Sequence, residues 1–353
     1  MNAPVKLTLS VTLADLTDPQ QVARIERFVA DRDGAVFQRP IWLQSVERGT
    51  GQVGFGFVAE RMGVVCGWLP LTEVRSALFG KALVSSGFGV GGGILADDGE
   101  VTASLARAAV DHADANSIPG IELRGGAIPA QWRSWEDSHA GFARSLAMDD
   151  EAELLAIPRK ARAEVRKALK YDLEVRVGTS ADDRKAHYAV YSESVRNLGT
   201  PVFPKSLFNA MLDAFADSSD ILTVFAQGKP VASVLSFYHQ GHVMPYWGGG
   251  ISAARGLRAN ELMYFKLMGH ARRKGMNRFD FGRSKTNSGP YRFKKNWGFE
   301  PEPLVYGEWT ADGAKNRNIN PNSQAYSRKI ELWKKLPLPI ANALGPLISR
   351  GLA

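Results

Sequence analysis

The sequence predicts an α/β chain (α+β in its strand order) of two tandem domains, each a mixed central sheet flanked by helices. At 353 residues the chain exceeds the usual single-domain length of roughly 100 to 200 residues. Short apolar runs bounded by turn residues alternate with longer stretches at helical spacing. The order strand, helices, antiparallel strands, helix, strand then occurs once in each half.

In the first half, β-type runs cover residues 5–11, 54–59, 64–70, 81–85, 121–123 and 142–146, and helical spacing covers 20–30 and 100–115. In the second half, 173–177 reads as a strand and 182–197 and 204–216 as helices. Strands 221–226, 231–238 and 242–247 follow, joined by Gly228-Lys229-Pro230 and Gln240-Gly241, residues expected of hairpin turns. A helix over 260–274 has Asn260 as N-cap and Gly275 as stop, and strands 279–281 and 304–309 close the pattern. This order resembles the GNAT acyltransferase fold, present twice. The boundaries expected are an N-terminal domain over 1–150, a C-terminal domain with the substrate cleft over 151–310, and a segment 311–353 that returns to the N-terminal domain.

Hydrophobic content of 44% and charged content of 23% belong to a soluble globular protein with a sizeable core. A net charge of +8 favours anionic partners without choosing among phosphates, RNA and an acidic membrane. A single cysteine, Cys66, excludes an intrachain disulfide and any multi-cysteine metal site, and reads as a buried strand residue. No leader pattern and no long apolar run occurs, so the expected location is cytoplasmic. The apolar, basic tail KIELWKKLPLPIANALGPLISRGLA adds peripheral docking at the inner face of the membrane as the alternative, although Pro337, Pro339 and Pro346 break it into pieces.

Three stretches could carry chemistry. The first is a helix in LLAIPRKARAEVRKALK, where Arg159, Arg162, Arg166 and Lys170 fall within about 80° on a helical wheel, opposite Ala161, Val165, Ala168 and Leu169. Its usual fate is a solvated basic face, but six Lys or Arg over 159–170 against Glu164 alone repel one another, and an anionic ligand would relieve that. The second is Met244-Pro245-Tyr246-Trp247-Gly248-Gly249-Gly250, where Tyr246 and Trp247 offer ring faces and the glycines allow close approach; the plainer reading is a tight turn with two core aromatics. The third is GRSKTNSGPYRFKKNWG. Between Asp280 and Glu300 it holds five Lys or Arg and no acid. Arg283, Ser284 and Lys285 should lie at a strand end, with Tyr291, Phe293, Lys294, Lys295 and Trp297 beyond; the plainer reading is a basic exposed loop.

Other templates fit poorly. The Q/R-x-x-G-x-G/A loop that holds the CoA pyrophosphate at a helix N-terminus would fall at Ala253-Ala254-Arg255-Gly256-Leu257-Arg258. Ala253 and Arg258 break it. His239 and His242 have no acid at metal-ligand spacing, so no metal is expected. No G-x-S-x-G or Walker sequence is present. GFGVGGG, residues 87–93, lacks a strand-to-helix context for a nucleotide and reads as a mobile loop.

IPRKARAEVRKALK, NLGTPVFPKSLF, RANELMYFKLM and FDFGRSKTNSGPYRFKKNWGFEPEPLVY resemble the FemAB-like proteins, in particular the subgroup associated with exosortase/PEP-CTERM and exopolysaccharide systems; FQRPIWLQSVERG matches more weakly. The resemblance implies two GNAT-like domains and transfer of an amino acid from aminoacyl-tRNA to a precursor amine. It implies that Phe293 and Lys294 contact substrate and steady developing charge, that Arg162, with Arg166 beside it, binds precursor phosphates, and that Tyr246 lies near the acceptor. The chain lacks the coiled-coil arm of some relatives, which leaves tRNA engagement through such an arm without support.

The expected activity is N-acyl or aminoacyl transfer onto an amine of an anionic small-molecule or lipid-linked precursor of the cell envelope or an exopolysaccharide, peptidoglycan in the characterised relatives. Aminoacyl-tRNA would be the donor and no separate cofactor is called for. The alternatives are an acyl-CoA-dependent N-acyltransferase of the GNAT type and a non-catalytic binder of RNA or anionic polysaccharide.

Overall fold

A computed structural model describes residues 8–314 and 324–352; the first residues of the expected strand 5–11, and residues 315–323 of the tail, lie outside the described residues. The chain divides into two compact units. One takes the described residues up to Glu136, those from Leu304 to 314, and those from Arg350; the other takes Asp137–Pro303 and 324 to Ser349.

The first unit contains β1 (Leu9–Leu13), α1 (Pro19–Asp31), α2 (Pro40–Thr50), β2 (Val53–Arg61), β3 (Val64–Ser76), β4 (Gly80–Val84), β5 (Leu95–Ala96), α3 (Gly99–Ala115), β6 (Gly120–Arg124), β7 (Arg133–Trp135) and β17 (Tyr306–Thr310). Its sheet runs β1-β2-β3-β4-β6-β17-β7. β1 to β4 are antiparallel, β4 and β6 pair parallel only at Leu83–Ile121 and Val84–Glu122, and β17 adds antiparallel to β6. The face made by Leu69, Leu71, Leu83 and Ile121 packs under Val101, Leu105 and Ala109 of α3, residues at i, i+4 and i+8. The loop 87–93 is fixed rather than mobile. Trp42 donates to the Gly87 carbonyl at 3.0 Å, Gln38 to that of Gly93 at 2.8 Å and Arg124 to that of Gly89 at 2.9 Å. These bonds satisfy the carbonyls of a segment too buried for water to do so.

The second unit contains β8 (His139–Gly141), β9 (Ala143–Ser145), α4 (Asp150–Ala156), α5 (Arg159–Ala168), β10 (Leu173–Gly178), α6 (Ala181–Leu198), α7 (Lys205–Phe215), β11 (Ser219–Ala226), β12 (Lys229–His239), β13 (His242–Gly250), α8 (Ser252–Leu257), α9 (Ala259–Arg273), β14 (Arg278–Asp280), β15 (Ser284–Lys285), α10 (Gly289–Asn296), β16 (Glu302–Pro303), α11 (Gln324–Lys334) and α12 (Leu338–Ser349). The main sheet runs β10-β11-β12-β13-β14-β9. Its plan resembles the first: antiparallel strands, a short parallel pair, then antiparallel pairing, by β9 alone here and by β17 and β7 in the first unit. Gln227-Gly228 and Gln240-Gly241, each with both φ positive, make the two-residue turns that let adjacent strands fold back with their natural twist.

Two strands sit away from the expected boundaries. β9, expected in the first domain, pairs with β14 of the second unit, and β17, expected in the second domain, pairs with β6 and β7 of the first. β9 forms the edge of its sheet, while β17 lies between β6 and β7, and each pairs with strands far away in sequence. The tail divides likewise: α11 and α12 pack on α6 within the second unit instead of returning to the first. The reason is local fit. Ala341, Gly345 and Ser349 form one buried face of α12, Gly345 lies so close to Val202 that a Cβ would stand 2.8 Å from its side chain, and Ser349 donates to the Val202 carbonyl at 2.8 Å. α12 continues through Pro346, so the prolines do not break the segment there.

Candidate active site

β13 and β14 pair at His242–Arg278 and Val243–Phe279 and then part, so the rest of β13 and the end of β14 diverge. A register shift opposite Leu235 and Ser236 leaves Tyr246 as the extra residue of a bulge, a device that re-aims side chains. Around this parting stand α9, which follows β13, α10, which follows β14, and α5, which shares a core with both.

α10 lies inside the third chemistry-bearing stretch, so that stretch is not the basic exposed loop of the plainer reading. Ser288 caps it by accepting from the Tyr291 N–H at 3.3 Å, Pro290 lies in its first turn, and Gly298 at φ 80° ends it. The helix turns Lys294 inward, where the side chain is 8% exposed. Its Nζ donates to the carbonyls of Gly282 at 3.1 Å and Arg283 at 3.0 Å and lies 5.3 and 5.7 Å from the ring centroids of Phe142 and Phe281. An ammonium has three protons, and these two carbonyls take two of them. Burial pushes the Lys294 pKa down to about 8, against the opposing pull of Asp280. Burial likewise raises the Asp280 carboxyl above its ordinary range, moderated by the Gly282 N–H at 2.8 Å and by the charges of His242 and Lys294.

The aromatics of this stretch serve chiefly as core. Trp297 is 1% exposed, and Phe293 packs on Tyr264, Phe281 and Trp297 with centroids 5.9, 6.2 and 5.8 Å away. Tyr291 meets Phe142 edge-on at 5.2 Å. Lys295 is exposed, and Arg283 and Lys285 are partly so. Ser284 is buried in β15, with Oγ lacking a hydrogen-bond partner.

Arg159 and Arg166 are exposed on α5, while Arg162 is partly buried and donates to the Leu155 carbonyl at 3.3 Å. Ala161, Val165 and Ala168 are buried as the wheel requires, but Leu169 is 42% exposed because the helix ends at Ala168. Pro158, just before α5, abuts Gly298, just after α10; a Cβ on Gly298 would stand 3.1 Å from the proline ring. The structure thus brings the start of the cationic helix beside the end of the Lys294 helix. Tyr246 and Trp247 belong to another group: both rings meet Phe237, at 5.8 and 5.9 Å, and Trp247 also packs on Phe208 at 5.1 Å. The neighbouring glycines serve helix packing. A Cβ on Gly249 would stand 2.2 Å from Ser194 Oγ of α6, and one on Gly250 2.5 Å from Asn260 Oδ1 of α9.

Residues that sequence reasoning did not single out complete the site. Arg258 caps α9 at φ 54°, ψ 32° and holds Glu164 of α5 with its Nε 2.6 Å from Oε2, while Lys167 donates to Oε1 at 2.9 Å and keeps that carboxyl below its usual range. Glu261 stands in the first turn of α9, where burial raises its carboxyl. A helix start is otherwise a natural anion site; here a carboxylate and an ion pair occupy it. An acid in the first turn was a readable signal. The Arg258–Glu164 pair was not, since 94 positions of chain separate the two.

Residues 158–295 match the acetyltransferase (GNAT) domain family. No curated protein matches the chain by sequence. Among solved structures the chain is similar to FemX, at 14% identity and TM-score 0.65, covering 85% of this chain and 98% of that one. It is similar to a tandem GNAT protein from the clavulanic acid biosynthesis pathway at 13% identity and TM-score 0.58, covering 87% and 100%, and to L-PGS from Bacillus licheniformis at 12% and 0.54, covering 84% and 93%. The fold is a tandem GNAT-like one, and the match to the GNAT domain lies within the second unit.

Proposed function

We propose that the second unit is the transfer site of an N-acyl/aminoacyltransferase that forms an amide on an amine of an anionic cell-envelope or exopolysaccharide-related precursor, with aminoacyl-tRNA as donor. The reading extends to the exosortase/PEP-CTERM-associated subgroup that the sequence resembles. The observation that carries it is the pairing of a buried ammonium, Lys294, beside the parted strands with an α9 start already filled by Glu261 and the Arg258–Glu164 pair. The first feature suits a carbonyl that becomes an oxyanion. The second disfavours a CoA pyrophosphate.

In the proposed mechanism the neutral acceptor amine attacks the activated carbonyl of the aminoacyl ester, the carbonyl oxygen takes negative charge, and the adduct collapses with cleavage of the ester C–O bond, the tRNA's terminal ribose hydroxyl leaving with the proton that the amine gives up. The third proton of Lys294 meets that oxygen, while Gly282 and Arg283 hold the other two and fix the direction. One preorganised donor of this kind lowers the barrier by about 3 to 4 kcal/mol. Asp280 keeps the ammonium charged against its burial. Arg159, Arg162 and Arg166 draw the phosphates of acceptor or donor.

The test is mass spectrometry of products after incubation with charged tRNA or with acyl-CoA, each beside an amine-bearing, phosphate-linked precursor. An aminoacyl amide from charged tRNA supports the reading; acyl transfer from acyl-CoA alone replaces it with the CoA-dependent alternative.

A further inference from the structure

A cavity of about 480 Å³ opens between α6, α7 and β11 of the second unit, a size that suits a small organic molecule. Phe208, Leu212 and Ile221 are its buried, apolar side. Among the described residues that line it none is an acid and three are cationic. Lys205 holds its Nζ 4.9 Å from the ring centroid of Tyr188, which lines the cavity with it. Arg184 is fixed at the wall: its Nε donates to the Thr179 carbonyl at 2.9 Å and its Nη1 to Asn209 Oδ1 at 3.4 Å, both from lining residues, while Nη2 pairs with Asp213 at 2.7 Å. Asp213 thus answers the charge of Arg184. Among the described residues no carboxylate pairs with Lys185 or Lys205, and both are exposed.

A second unanswered group belongs to the same lining. His187 is 1% exposed; its Nδ1 lies 3.0 Å from Ser233 Oγ, which in turn lies 2.7 Å from Thr223 Oγ1, and its Nε2 has no hydrogen-bond partner. A folded chain leaves few buried polar atoms without a partner, so each calls for a reason. Burial keeps the ring neutral, with its pKa lowered to about 3. Nε2 therefore offers one hydrogen bond, as donor or acceptor according to the tautomer.

We propose that this cavity binds a small organic anion, its phosphate or carboxylate head at Lys185 and Lys205, its apolar body against Phe208, Leu212 and Ile221, and one polar atom of that body bonded to His187 Nε2. Each part of such a ligand answers one observation. An inorganic ion would leave the apolar side and the imidazole unmet, and a neutral molecule would leave the two ammonium groups so. Lys185, Tyr188 and Lys205 also line a neighbouring groove of about 620 Å³, whereas His187 lines only the first cavity, so His187 marks which of the two is filled. Transfer at Lys294 uses none of these residues, and its failure would leave this site intact.

The test is isothermal titration of the full chain with indoleacetate and with para-nitrophenyl phosphate, beside acetate, inorganic phosphate and neutral skatole, together with nitrogen NMR of the His187 ring. At least one of the two organic anions should bind on the order of tenfold more tightly than every control, and which one does so identifies the head group. Lys185→Gln with Lys205→Gln should weaken that binding on the order of tenfold or more at unchanged melting temperature, and the His187 ring signals should shift as the anion is added. Neither organic anion binding better than the controls, binding unaltered in the double variant, or binding that leaves the His187 signals in place would overturn the proposal.

Discussion

Arg258 holds Glu164 at 2.6 Å from a backbone position, φ 54°, that glycine fills most easily. The left-handed conformation costs a non-glycine residue about 1 to 2 kcal/mol, and an ion pair 41 and 26% exposed returns at most about 1 kcal/mol. The pair is thus a poor stabiliser of the fold. Arg258→Gly should leave the unfolding free energy from urea denaturation within about 1 kcal/mol of wild type, a loss of several kcal/mol being contrary.

CoA thioesters should not raise the melting temperature of the wild-type chain, because Glu261 stands in the first turn of α9 where a pyrophosphate would bind. Arg258→Gly/Glu261→Gln reopens that start and should gain a measurable shift. A large shift with the unaltered chain would contradict this reading of α9.

The Lys294 pKa of about 8 gives the transfer rate an alkaline limit. A reaction that uses the ammonium loses rate as pH rises through that value. Asp280→Asn removes an opposing charge and should move the limit to lower pH, read as a shifted kcat/KM profile with little change in melting temperature. For stability the sign is opposite. Between pH 8 and the ordinary lysine range the unfolded chain binds the proton that the folded chain has released, so stability rises with pH there, by about 3 kcal/mol at most.

His187 provides an acid-side counterpart. It is 1% exposed, its Nδ1 lies 3.0 Å from Ser233 Oγ, Nε2 has no partner, and burial lowers its pKa to about 3. The unfolded chain takes up a proton below the ordinary histidine pKa that the folded chain refuses. Its contribution is fully present above pH 6.5 and falls away toward pH 3. His187→Gln should flatten that part of the stability–pH curve measured by chemical denaturation; an unchanged slope would be contrary.

Trp297→Ala should cost about 3 to 5 kcal/mol in unfolding free energy, as a fully buried ring does. A cost below about 1 kcal/mol would mean that Trp297 faces substrate instead of core.

Much of the fold was legible because its signals are local. The hairpin turns, the Gly275 stop after α9 and the apolar face of α5 all lie within a few residues of what they determine, whereas Asn260 falls inside α9, whose N-cap is Arg258. β9 and β17 were misplaced because their partners, Asp280 and Arg124, lie more than a hundred residues away, and no local pattern records that. α2 and α10 were missed although both carry helix punctuation, Pro40 with Gly51 and Ser288-Gly289-Pro290 with Gly298; density of charge drew the second toward a loop. The chemistry-bearing stretch was found by charge and aromatics together, but which side chains turn inward depends on the core. Lys294 is buried and Lys295, its neighbour, is exposed. Phe293, Tyr291 and Trp297 are rings of that core, and Trp247 packs on α7.

The most direct measurement is single-turnover transfer from aminoacyl-tRNA to an amine-bearing precursor by wild type and by Lys294→Met, with folding checked by melting temperature. Replacing the ammonium by an uncharged side chain of similar length should lower the rate on the order of a hundredfold or more. An unchanged rate in a folded Lys294→Met chain would remove Lys294 from the chemistry and with it the site proposed for the second unit.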